Sequence, residues 1–160
     1  MSNHSVSSHC KLTISSVIRS EGEIQDEIVL RADAVSESTA NGHSFRYVEK
    51  QEDGGKVFVT VKAEYLPPNP AHPITHPVPS LCRVSISRRG AVRADLLFCA
   101  GSTHKFIYST SLIEFAAEVT TLHAAIHQSA EEGGILLLLS YTMELAGGIS
   151  QHEMTFSLTP

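Results

Sequence analysis

The chain has 160 residues, 42% of them hydrophobic and 18% charged, with three cysteines and no tryptophan. That length suits one domain of about 100–200 residues with a self-supporting core, so neither a disulfide framework nor a structural metal is required. Twelve Lys and Arg against seventeen Asp and Glu leave a formal net charge of −5, the wrong sign for a protein that grips nucleic acid by neutralising phosphates.

The opening stretch from Met1 to Cys10 is polar and has neither a basic start nor an apolar run, so it does not read as a signal or transit peptide. It predicts a disordered tail over 1–10, followed by a single domain over 11–160. From there apolar residues recur every second position, the mark of a strand with one buried face. Alternating stretches cover 12–18, 27–34, 43–49, 57–65, 81–88, 91–98, 104–108, 112–122, 135–145 and 149–158. In the fourth, Val57, Val59, Val61, Ala63 and Tyr65 share one face while Thr60, Lys62 and Glu64 share the other. Between the stretches stand Asn41-Gly42, Asp53-Gly54-Gly55, Arg89-Gly90, Ala100-Gly101, Gly133-Gly134 and Gly147-Gly148, which supply the positive φ that tight hairpins need.

The segment 66–80 is the exception. Pro67, Pro68, Pro70, Pro73, Pro77 and Pro79 remove the donors a ladder requires, which predicts an extended surface loop. Residues 121–132 carry enough alanine for a short helix and enough alternation for the end of a long strand, and both readings stay open. Short-linked antiparallel strands avoid sticky edges by closing on themselves. The expected fold is therefore all-β, an antiparallel meander closing into a barrel of about 8–10 strands. Cys10, Cys82 and Cys99 form an odd set without C-x-x-C spacing, which predicts reduced thiols and a cytoplasmic protein. The longest apolar run, Ile135 to Leu139, falls far short of the ~18 residues of a membrane-spanning helix, so no membrane partner is expected.

A run of residues then carries a resemblance. Ile86-Ser87-Arg88-Arg89-Gly90, Leu96-Leu97-Phe98 with Gly101 behind it, Tyr108-Ser109-Thr110, a long strand through Thr120 and Leu122, Gly133-Gly134, and Tyr141-Thr142-Met143-Glu144-Leu145 follow in order. In that order the chain resembles the small bacterial family typified by YwiB, from about residue 11 to 158 and most clearly after Leu81. The resemblance implies a calycin-like, lipocalin-like β-barrel with no assigned function. The chain departs from the family where Ser111 and Leu112 stand in place of a glycine after the Tyr-x-Thr element, and in its longer proline-rich loop.

Chemistry is harder to find. His72 with His76, and His123 with His127, sit four apart, a spacing that converges on an ion from a helix but spreads over about 13 Å on a strand. No metal site is expected. There is no nucleophile elbow, no phosphate-cradling glycine loop and no Cys–His pattern of a thiol enzyme, so neither a catalytic set nor a cofactor is predicted. Glu114 and Glu118 read as a solvated strand face.

Polar residues on apolar faces are more informative, because burying one without a partner is costly. Arg88 follows Cys82, Val84 and Ile86; His104 shares a face with Phe106 and Tyr108; Tyr141 lies among Leu137, Leu139 and Met143; His152 precedes Met154, Phe156 and Leu158. Arg88, His104, Tyr108, Tyr141 and His152 are thus the candidates for lining a cavity. The plainer alternative has Arg88 and His152 at strand ends reaching water and the tyrosines in the core with bonded hydroxyls. The expected function is binding of a small apolar or amphiphilic anionic molecule, with Arg88 as a fixed positive charge above an apolar cavity. The alternative is a non-enzymatic interaction or assembly module with a filled barrel, and the oligomeric state is left open.

Overall fold

The computed structural model describes residues 6–67, 80–128 and 134–160. Every described element is a strand: β1 (Val6–Ser20), β2 (Glu23–Thr39), β3 (Gly42–Lys50), β4 (Lys56–Tyr65), β5 (Ser80–Gly90), β6 (Ala94–Phe98), β7 (Thr103–Ser109), β8 (Glu114–Gln128), β9 (Ile135–Leu145) and β10 (Gly148–Thr159). The alternation dictates this result, since a face that buries every second side chain stays continuous only on a pleated strand.

The strands form one antiparallel sheet in the order β6-β5-β4-β3-β2-β1-β10-β9-β8-β7. Ser80 and Leu81 at the start of β5 pair with Ile126 and Ala125 of β8, and this contact closes an eight-stranded barrel. Beyond it β5 and β8 diverge, and β6 and β7 fill the wedge, β6 against β5 and β7 against β8. β6 and β7 lie side by side without a ladder among the described residues, and an isolated bridge joins Arg93, just before β6, to Ser109 of β7. A second split opens between β2 and β3, which pair from Val35 to Thr39 and part company toward the other end of the barrel.

Two expectations change. A tail through residue 10 is wrong for 6–10, which continue β1: Val6↔Ser38 to Cys10↔Ala34 are ladder pairs with β2. The seventeen-residue β2 offers a template longer than the apolar pattern of β1 reveals, and Ser7 and Ser8 add bonds to Glu37 and Ser36. Residues 121–128 are strand, not helix. A bulge at Leu122 shifts the phase, so that Thr121, Ala124 and Ile126 are all buried and the segment loses its plain period of two. The proline-rich stretch 68–79 and residues 129–133 lie outside the described residues.

The core is uneven along the barrel axis. At the end holding the β5–β8 closure, Leu12, Ala34, Phe45, Val61, Ala63, Cys82, Val84, Ile126, Leu137 and Leu158 are each at most 3% exposed. They come from eight strands and fill the interior. Toward the other end the inward positions become larger, more polar and less covered.

Candidate functional site

The less filled end holds a cavity of about 370 Å³. Its walls come from the C-terminal parts of β1, β3, β5 and β9 and the N-terminal parts of β2, β8 and β10, as the antiparallel order requires, together with β6 and β7. Most of the lining is apolar: Ile14, Leu30, Ile86, Phe106, Phe115 and Met154 are among its residues.

A polar group stands against this lining. Arg88 is the last inward residue of β5, and its Nη2 donates to Glu49 Oε2 at 2.5 Å. Glu49 is the last inward residue of β3, and its other oxygen accepts from the Tyr47 hydroxyl at 3.4 Å. Both charged side chains are mostly withdrawn from water. Arg88 Nε is buried with no partner among the described residues, an unmet donor. Burial, followed by the Glu49 carboxylate, pushes the Tyr47 hydroxyl well above its ordinary pKa, so it remains a donor at any physiological pH.

A second group forms across β9 and β10. Tyr141 and His152 are ladder partners and stack with ring centroids 4.8 Å apart and planes within 3°. The Tyr141 hydroxyl points to Met154 Sδ at 3.3 Å, and burial pushes its pKa up to about 12. His152 Nε2 is hydrogen-bonded to Ser150 Oγ at 2.7 Å, and burial lowers its pKa. Phe98 packs against Tyr141 in a tilted pair with centroids 4.9 Å apart, while Tyr108 stacks on Phe115 at 4.8 Å.

Of the five residues the sequence singles out, the structure brings four, Arg88, Tyr108, Tyr141 and His152, to the wall of this one cavity. His104 stands apart. It lies two residues nearer the β6–β7 turn and lines a shallow groove with Arg93, Asp95 and Ile107 in the split wall between those strands. Glu49 and Tyr47 were missed, although Phe45, Tyr47 and Glu49 repeat the pattern that picked out Arg88: an apolar face ending in a charge. Glu49 also changes the meaning of Arg88, because the positive charge expected to stand free is already paired.

Other chemistry does not gather here. Among the described residues no group of three or more His, Cys, Asp or Glu is placed to hold a metal ion. His123 and His127 are on β8, and His72 and His76 lie outside the described residues. Cys82 is fully buried, and burial raises its thiol pKa to about 12, which makes it inert filling.

Residues 12–156 match a family model described as a domain of unknown function (DUF1934). Among solved structures, the crystal structure of the ywiB protein from Bacillus subtilis is similar, with a TM-score of 0.72 and 21% sequence identity over 96% of this chain and 92% of that one. That likeness supports the fold, a barrel consistent with the calycin type. No curated protein matches the chain.

Proposed function

The chain belongs to the DUF1934 family of domains of unknown function, and from the half-empty barrel we propose that it binds a small amphiphilic molecule in the cavity. The observation that carries this reading is the combination of an apolar hollow of about 370 Å³ with the Arg88–Glu49 pair at its wall. Small-molecule sites are mostly apolar cavities of roughly 300–1,000 Å³ with a few placed polar groups. An apolar chain would lie against Ile14, Phe106 and Met154, and its head would lie beside the Arg88–Glu49 pair. The filled-barrel alternative has less support, since side chains fill only one half.

The head-group preference follows from charge. Arg88 and Glu49 together are neutral, so a carboxylate head brings a net negative charge close to Glu49, whereas an alcohol head does not. The favoured ligand is accordingly a neutral amphiphile, with the anionic kind second. The same reading takes the protein as a carrier rather than a catalyst. Outward positions such as Lys62 and Glu64 are exposed and polar, opposite to the apolar outer band of a membrane barrel, which favours a water-borne barrel. The unpaired thiols suit a reducing cytoplasm.

Calorimetric titration with dodecanol and with dodecanoate tests this. Saturable binding of dodecanol, weaker binding of dodecanoate, and a gain for dodecanoate of about tenfold in Glu49→Gln, which removes about one close charge repulsion, are expected. Failure of both ligands and of a broader set of apolar probes to bind would remove the reading. Binding that ignores Glu49→Gln would leave a carrier whose head group lies elsewhere.

A further inference from the structure

β2 runs past its partner on one side. It pairs with β1 along its whole length but with β3 only from Val35 to Thr39. Over 24–34 the edge that faces away from β1 therefore has no strand beside it among the described residues. An open groove of about 930 Å³ lies there, between Leu30, Arg31 and Asp33 of β2 and Val48 and Phe58 of β3 and β4. Val48 and Phe58 in its lining are exposed, as are Ile24, Ile28 and Val29 along β2. Natural sheets protect such edges with lysine, proline or a bulge. Residues 24–34 hold neither lysine nor proline, and the bulge, at Gln25, lies near the hairpin tip.

The residues along this edge suggest what covers it. Two copies of one strand paired antiparallel about a two-fold axis must set side chains of the same face opposite each other, so the axis passes through a residue, never between two. An axis at Ile28 sets Glu27 against Val29. An axis at Leu30 sets Glu27 against Asp33, two like charges. An axis at Val29 sets Glu27 against Arg31 and Arg31 against Glu27, with Val29 on Val29 between them and Ile28 against Leu30 on the other face. Val29 is also the midpoint of the free stretch 24–34. Neither Glu27 nor Arg31 has an ion-pair partner within the chain among the described residues, so both charges are available.

We propose that β2 is a self-complementary edge that pairs with β2 of a second copy of this chain, with the two-fold axis at Val29. Backbone bonds over 26–32 supply the association, the usual mode of strand addition. Two cross-strand Glu27–Arg31 pairs set the register, and the isologous contact closes as a dimer rather than growing into a filament.

Sedimentation velocity from micromolar to hundreds of micromolar protein tests this. A reversible monomer–dimer equilibrium is expected for the wild type. Glu27→Arg places four arginines together and should weaken the dimer by at least about tenfold, and adding Arg31→Glu should restore it. Both residues are exposed and unpaired, so circular dichroism should show all variants folded; should a variant misfold, concentration-dependent exchange protection of amides 26–32 in the wild type reads the same contact. A monomer at every concentration overturns the proposal. A dimer indifferent to the charge reversal, or one with no added protection over 26–32, also overturns it, since the copies would then meet through another face.

Discussion

The two halves of this barrel are built by the same strands and do opposite things. On β9, Leu137 and Leu139 are buried in the filled half, and Met143 and Leu145, further along the same face, border a hollow. On β1 the inward series runs from buried Leu12 through Ile14 to Ser16 and Ile18 at the cavity. Residue size does not explain the change, because arginine, methionine, tyrosine and phenylalanine crowd the hollow half. The strands do: β5 and β8 touch at one end and are wedged apart by β6 and β7 at the other, and β2 leaves β3 over the same half. A wider ring needs more side-chain volume than its inward positions supply, and the remainder is cavity.

The sharpest way to break this contrast is to remove matched volume from each half. Leu137→Ala, in the filled half, should cost about 2–5 kcal/mol in urea unfolding. Met143→Ala faces existing empty space and should cost well under half as much, about 1 kcal/mol. Equal losses would mean that the hollow collapses in solution. The converse experiment adds volume. Ala124→Leu at a fully buried position should destabilise by about 1–3 kcal/mol. Ser16→Leu at the cavity wall should be neutral or stabilising by up to about 1 kcal/mol while abolishing ligand binding. A third comparison concerns unmet polar groups. Thr121 Oγ1 is buried without a partner among the described residues, and Thr121→Val should raise stability by about 1 kcal/mol. Thr121 is not among the residues that line the cavity, whereas Arg88 is.

Titration acts with one sign at both ends of the barrel. Burial lowers the pKa of His152 in the hollow half and of His43, which bonds Tyr65 and Ser38 beyond the filled half. The facing groups at His152 are Tyr141 and Ser150; neither is charged at neutral pH. A histidine with a depressed native pKa contributes its stability above its unfolded value of about 6.5 and loses it as pH falls through the native value. Stability should therefore decline from about pH 6.5 downward, and His152→Gln should flatten part of that slope. The smallest effect lies at the β9–β10 hairpin tip, where Ala146 has φ +51°. Ala146→Asn suits that conformation and should add up to about 1 kcal/mol in thermal melts without touching either half.

The filled half was legible in the sequence because it obeys one rule: Val61 and Ala63 on β4, and Cys82 and Val84 on β5, alternate without interruption and turn inward together. The hollow half was legible only where a polar residue ended an apolar run, as at Arg88 and His152. Its other charge, Glu49, shows the same signal but gains meaning from Arg88, thirty-nine residues away, and no local pattern reports that meeting. The wedge of β6 and β7 was hidden for a related reason: each strand alternates normally, and only the register of β5 with β8 reveals that they part. His104 illustrates the limit of face-sharing, since two residues along β7 separate the cavity from an outer groove.

Two of the three methionines, Met143 and Met154, line the hollow, and the third is Met1. Methyl spectra of protein labelled at methionine, titrated with dodecanol, therefore read the central claim directly. The account predicts saturable shifts of the Met143 and Met154 methyl signals, assigned by Met→Leu replacement. Met143 and Met154 signals that stay in place at every dodecanol concentration would contradict it.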